Sequence, residues 1–188
     1  MTTDRWPENQ LIPGDTVFEV GAYEGAWVKE VADYDVWIEA FEPDPDTIKR
    51  LVENVSGIGV RLHDFGLGAR TSTFQLGNHN TDGASFCKGD DAVDAKMVDI
   101  DHFFYLYPET ANIKIMRVNI EGGEYELLSR MIDTGHITKV KYLMIHWHDI
   151  PKGAMAMRLD IERGLRETHA PTPHMSNPTW DTWSRIGA

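Results

Sequence analysis

The chain has 188 residues, 41% hydrophobic and 26% charged, the composition of an ordinary globular protein, which excludes disorder throughout. No apolar run approaches the roughly 20 residues that a bilayer-spanning helix needs, so no membrane partner is expected. Thirty acidic residues against eighteen basic ones leave a formal net charge of −12, a field that repels a phosphate backbone and argues against nucleic acid as a partner.

The expected organisation is one domain over residues 1–188, with an N-terminal segment at 1–14 and a Pro- and Trp-rich tail at 169–188. The lone Cys87 excludes a disulfide framework within the chain and a zinc site built mainly of thiolates. No metal site is expected, because two ligands are too few to define one. Met1 to Gly14 lacks the basic start and apolar stretch of a signal peptide, so a reducing, cytoplasmic location is expected.

Thr16 to Val20 is a short run of β-branched and aromatic residues that ends in glycine, and it reads as a buried strand. Ala22 to Ala32 follows as a helix with Trp27, Val28 and Val31 on one face. Asp35 to Phe41 reads as a second strand. Asp44 can cap the next helix, Pro45 fits its first position, and Ile48, Leu51, Val52 and Val55 form its buried stripe. A third strand runs through Val60 and Leu62. Thr71 to Leu76 and Lys96 to Ile100 are short strands flanking a polar loop, Gly77 to Asp91. Ile113 to Ile120 is a clear strand, and Glu124 to Thr134 a helix with Gly135 suited to its C-cap. Val140 to Trp147 is another strand and Ala154 to Thr168 another helix. The last twenty residues, with Pro171, Pro173, Pro178, Trp180 and Trp183, form either a terminal strand or a coat over the core. Strands alternating with helices predict an α/β fold: a doubly wound, mostly parallel sheet with helices on both faces. In such sheets the ligand sits beyond the carboxyl ends of the strands, at the switch point.

The residues after each strand are therefore the informative ones. After the first come Glu19, Gly21, Ala22, Tyr23, Glu24 and Gly25. Gly21 allows close backbone approach to a ligand and Gly25 allows the helix to pack tightly. The Gly-x-x-x-Gly spacing is not that of a dinucleotide site, and Glu19 and Glu24 repel a pyrophosphate. An acidic turn suits a cationic ligand instead, and S-adenosylmethionine carries both an ammonium and a sulfonium. The alternative is a glycine turn that merely joins strand to helix. After the second strand come Glu42 and Pro43. Glu42 lies 21 residues beyond Gly21, where a carboxylate accepts hydrogen bonds from ribose hydroxyls. The alternative is an exposed acid beside a helix start. Asp64 and Phe65 follow the third strand, where an acid and an aromatic ring can meet an adenine, or simply form a turn. Glu121 follows the fourth strand beside paired glycines and points to the crevice, whereas Glu124 in the next helical turn is explained by the helix dipole. His146 and His148 end the fifth strand on one face, with Trp147 on the other, and suit acid–base work or metal binding better than a lone histidine does.

The order VFEVGAYEG, EAFEPDPDTIKRLVENV, MVDIDHFF, IKIMRVNIEGGEYELLSRM and YLMIHWHD resembles the FkbM family of S-adenosylmethionine-dependent methyltransferases over roughly residues 16–149. The resemblance implies a class I methyltransferase, Rossmann-like fold and O-methylation of hydroxyls on sugars or natural-product scaffolds. It places Glu19, Gly21 and Gly25 around the methionine part of the cofactor and Glu42 on the ribose, and matches Glu121 and Glu124 to the two acids of the family's Asp-x-Glu-Gly-x-Glu segment. The family usually has asparagine at Tyr23, aspartate at Asn119, and a glutamate followed by a small polar residue or histidine near His146-Trp147-His148.

A sugar hydroxyl is a weak nucleophile at neutral pH, so a base must take its proton. Glu121, His146 and His148 are the candidates, and Glu121 alternatively orients the hydroxyl or binds the donor's ammonium. The expected acceptor is a sugar or other small molecule. Three rivals remain open: a nicotinamide-dependent oxidoreductase, a nucleic-acid methyltransferase, and a non-catalytic methyltransferase-fold module for binding or assembly. The acidic turn opposes the first. Asn119-Ile120-Glu121-Gly122, in place of Asn-Pro-Pro-aromatic, opposes the second. Tyr23 and Asn119 are the support for the third.

Overall fold

A computed structural model describes residues 7–77, 92–172 and 180–187. Cys87, the loop from 78 to 91, and residues 1–6 and 173–179 of the two terminal segments lie outside the described residues.

Among the described residues, ten strands and five α-helices follow one another. β1 (Thr16–Val20), β2 (Trp37–Phe41), β3 (Val60–His63), β7 (Ile113–Val118), β8 (Val140–His146), β10 (Trp180–Arg185) and β9 (His169–Thr172) build a seven-stranded sheet in the order β3-β2-β1-β7-β8-β10-β9. Its first five strands are parallel, and β10 runs antiparallel to both neighbours. A second sheet holds β4 (Gly66–Gly68), β6 (Val93–Asp99) and β5 (Ser72–Leu76), in the order β4-β6-β5. The helices are α1 (Ala26–Ala32), α2 (Thr47–Asn54), α3 (Ile100–Leu106), α4 (Glu124–Asp133) and α5 (Ala154–Leu165).

The parallel strands are buried on both faces, which is why they read as near-continuous apolar runs. One face carries Val17, Ile115 and Met144 against Val28 of α1 and Leu51 of α2. The other carries Phe18, Val118 and Leu143 against Phe103 of α3, Leu128 of α4 and Ile161 of α5. The chain leaves β1 toward β2 and β3, then returns to β7 and β8 on β1's other side, so the switch point lies between β1 and β7.

Several expected boundaries move. The first helix starts at Ala26 instead of Ala22, because Gly21, Tyr23 and Gly25 all take positive φ and form a turn. Asp44 does cap the second helix: its Oδ1 accepts from the N–H of Asp46 (2.8 Å) and Thr47 (3.1 Å). Of the expected strand Lys96–Ile100, residues 96–99 are the end of a longer strand, and Ile100 opens α3, a helix that strand-like reading obscured. Asp99 starts it by accepting from the Asp101 N–H at 2.9 Å. The tail supplies a terminal strand, with Trp183 buried in the core.

Gly25 fits its helix against α2 so closely that a Cβ there would lie 2.6 Å from Leu51 Cδ1 and 2.8 Å from Val55 Cγ1. At Gly21 a Cβ would run into the backbone carbonyl oxygen of Asn119. The close approach at Gly21 is therefore first to the neighbouring β7 turn. Gly21→Ala is expected to cost about 3 kcal/mol or more through this clash and the positive φ. Thermal denaturation should show a fall in Tm of about 10 °C for a chain of this size.

Candidate active site

The carboxyl ends of β1, β2, β7 and β8 meet around the switch point, and five acids stand there. Glu42, buried, ends β2. Its Oε2 accepts from the Tyr23 N–H at 2.8 Å and its Oε1 from the Asp44 N–H at 2.9 Å. Each oxygen has a second lone pair left for a further donor. Burial pushes this carboxyl up to about 7 against the lowering effect of the two backbone N–H groups.

Glu19 is also buried, and burial again raises its carboxyl to about 7 despite Arg117, which lowers it. Arg117, on β7 opposite Glu19, donates to Oε1. The guanidinium sits over Trp180 at 4.1 Å and faces Trp27 at 5.7 Å from the ring centroids. Glu24 is held by Arg50 at 2.9 Å. Both acids of the turn thus face a cation of the protein, and the turn is far less negative than its sequence suggests. The sequence reading missed Arg117, although two basic residues, Lys114 and Arg117, inside an otherwise apolar strand were the available signal. Two buried acceptor atoms at this edge have no hydrogen-bond partner among the described residues: Glu19 Oε2 and Asn119 Oδ1.

Glu124, the second acid of the family segment, lies fully buried at the start of α4. Its Oε1 accepts from the Ile120 N–H and its Oε2 from the Gly122 N–H, each at 2.9 Å, which ties down the turn after β7. Oε1 also meets His148 Nδ1 at 2.9 Å, and His148 Nε2 meets Glu121 Oε1 at 2.9 Å. His146 Nδ1 lies 3.1 Å from the same Nε2, and its ring packs 5.2 Å from Trp180. Glu121, His146 and His148 are therefore brought together. Glu124 joins them as more than a dipole partner, since it fixes both the turn and the imidazole. Trp147 points away and donates to Asp181 at 2.9 Å.

Asp64 and Phe65 stand apart from this group. The Asp64 carboxylate is 69% exposed and lies 3.4 Å from Lys96 Nζ. Phe65 packs against Phe41 and His63, at 6.0 and 5.0 Å between centroids. Ala22, at the turn, is buried, and Pro43 follows Glu42 within contact range of Gly66. Among the described residues no group of three or more His, Cys, Asp or Glu side chains is arranged to hold a metal ion. No described helix is long and apolar enough to cross a membrane.

This arrangement is that of a class I methyltransferase, with an acid at the end of the second parallel strand and an acidic turn after the fourth. Residues 19–168 match the model of the methyltransferase FkbM domain, and the chain belongs to that family. S-adenosylmethionine is its cofactor, and the residues fit it: Glu42 keeps acceptor capacity for hydroxyl donors, and two orphaned acceptors at the strand ends suit an ammonium. No curated protein matches the chain. Among solved structures it is similar to an rRNA methylase from Streptococcus thermophilus (13% identity, TM-score 0.56), covering 95% of this chain and 91% of that one. It is similar also to the fibrillarin pre-rRNA processing protein of Methanococcus jannaschii (9% identity, TM-score 0.54, 94% and 69% covered). A third is Aeropyrum pernix fibrillarin with natively bound S-adenosyl-L-methionine (10% identity, TM-score 0.50, 93% and 67% covered). At these identities the likeness is one of fold.

The raised carboxyl of Glu42 has a definite sign in pH. Its contribution to stability is present below the ordinary carboxylate value of 4.5 and is lost as pH rises through about 7. Hydroxyl donors favour the ionised carboxylate, so ligand binding should respond in the opposite sense. Calorimetry with S-adenosylhomocysteine is expected to show affinity rising between about pH 5.5 and 8, while the Tm of the ligand-free chain falls. In Glu42→Gln both slopes should flatten and the affinity should drop. An unchanged slope and affinity would remove Glu42 from the ribose.

Proposed function

We propose that this chain transfers a methyl group from S-adenosylmethionine to a hydroxyl of a small acceptor of sugar or natural-product type. The observation that carries the reading is the hydrogen-bonded array Glu121–His148–Glu124 at the ends of β7 and β8. When bound, S-adenosylmethionine supplies a methyl group on a positively charged sulfur, ready for in-line displacement.

The chain's own residues do the rest. Glu42 accepts the ribose hydroxyls, and Glu19 Oε2 and Asn119 Oδ1 accept from the ammonium. The backbone of Gly21, Ala22, Tyr23 and Gly25 frames the methionine part, while Pro43, Asp64 and Phe65 border the adenine. Glu121 Oε receives the acceptor's proton. It is the outermost member of the array, with its side chain 20% exposed against 14% for His148 and none for Glu124. His148 has a carboxylate at each ring nitrogen, and only the doubly protonated ring can donate to both. It therefore orients Glu121 and holds it ionised until the proton arrives, with His146 beside it at Nε2. The net charge of −12 favours a small acceptor over a polyanionic one.

Glu121→Gln is expected to lower kcat by about 10²–10⁴-fold, the usual contribution of a general base, without weakening S-adenosylhomocysteine binding. His148→Asn should lower kcat less and shift the pH–rate profile. A Glu121→Gln enzyme with undiminished kcat would show that the base lies elsewhere.

A further inference from the structure

A cavity of about 400 Å³ lies between the small sheet and the amino ends of α4 and α5. Its walls are Leu67 and Met97 from the small sheet, Tyr125 from α4, Ile150 and Pro151 from the β8–α5 connection, and Met157 from α5. Glu121 lines it too, so the proposed base and the cavity are contiguous. Its charged groups are Glu121 and the pair Arg70 and Glu126, which lie 3.5 Å apart with side chains 75% and 57% exposed. The volume falls within the range of small-molecule sites, about 300–1,000 Å³, in which apolar walls and one or two polar groups fix the ligand.

The walls decide which acceptor fits. A free sugar carries hydroxyls around its whole ring. Those pressed against Leu67, Met97, Ile150 and Met157 would lose water and gain no partner. A compact apolar ring system with a hydroxyl at one end loses nothing of the kind, and the two thioethers adapt to its outline. We propose that the cavity receives the body of the acceptor, and that the acceptor is a largely apolar alcohol or phenol of a few fused rings with its hydroxyl at Glu121. This rests on the methyl-transfer reading and narrows its acceptor class away from free sugars.

Calorimetry on the full chain, with S-adenosylhomocysteine present, tests it with 2-naphthol and methyl α-D-glucopyranoside as probes. The expected result is that 2-naphthol binds at least about tenfold more tightly than the glucoside. Met157→Trp and Ala69→Phe, which fill the cavity from separate walls, should each weaken 2-naphthol by about tenfold or more while S-adenosylhomocysteine affinity is kept. Retained donor affinity reports that each variant is folded. Equal binding of both probes, or 2-naphthol affinity untouched in both variants, would overturn the proposal. Failure of S-adenosylhomocysteine to bind the wild-type chain would instead sink the methyl-transfer reading, and the naphthol comparison without it still reads the cavity.

Discussion

Two buried carboxylates hold the working edge of this protein together. Glu42 draws the β1 turn to the β2 turn through the N–H groups of Tyr23 and Asp44. Glu124 gathers the β7 turn through the N–H groups of Ile120 and Gly122. In each turn a residue with a side chain takes a left-handed backbone, Tyr23 at φ 48° and Glu121 at φ 50°. Such conformations cost about 1–3 kcal/mol each and persist where surrounding structure over-determines them. A buried carboxyl that accepts from two backbone N–H groups is a strong local restraint. Glu42 therefore offsets strain at Tyr23 itself, and Glu124 offsets it at Glu121 by holding the residues on either side. Asparagine, usual at the Tyr23 position in the family, tolerates the left-handed region better.

The same edge shows why formal charge is a poor guide to local field. Glu19 and Glu24 make the β1 turn look like a trap for cations, yet Arg117 and Arg50 face them. Acceptor capacity is left over at Glu42 and, among the described residues, at the unpartnered oxygens Glu19 Oε2 and Asn119 Oδ1. Arg117 also links distant parts of the chain. It bonds β1, lies on β7, and stacks under Trp180 at the start of β10. The C-terminal strand thereby reaches the site through one guanidinium.

The small sheet has a different part in the architecture. β4, β5 and β6 do not extend the main sheet. They stand beside α4 and wall the cavity that Glu121 lines. The switch point is thus framed by turns of the main sheet, and the cavity by an insertion between β3 and α3.

Much was legible in the sequence. The parallel strands announced themselves because burial on both faces demands continuous apolar runs, and Glu42, Glu121, His146 and His148 stood out as candidates because strand ends in such a sheet are where ligands bind. The seven-residue helix α3 and the three-residue β4 were not, since neither is long enough for its periodicity to outweigh its neighbours. Local pattern determined which residues are buried and which stand at the ends of strands. Only the tertiary structure decided what each of those residues meets: that Arg117 answers Glu19 across two strands 98 positions apart, that Glu124 is a buried anchor, and that Gly21 is pressed against Asn119. Partnership between side chains distant in sequence depends on strand order and register, and neither is written in the spacing of any single segment.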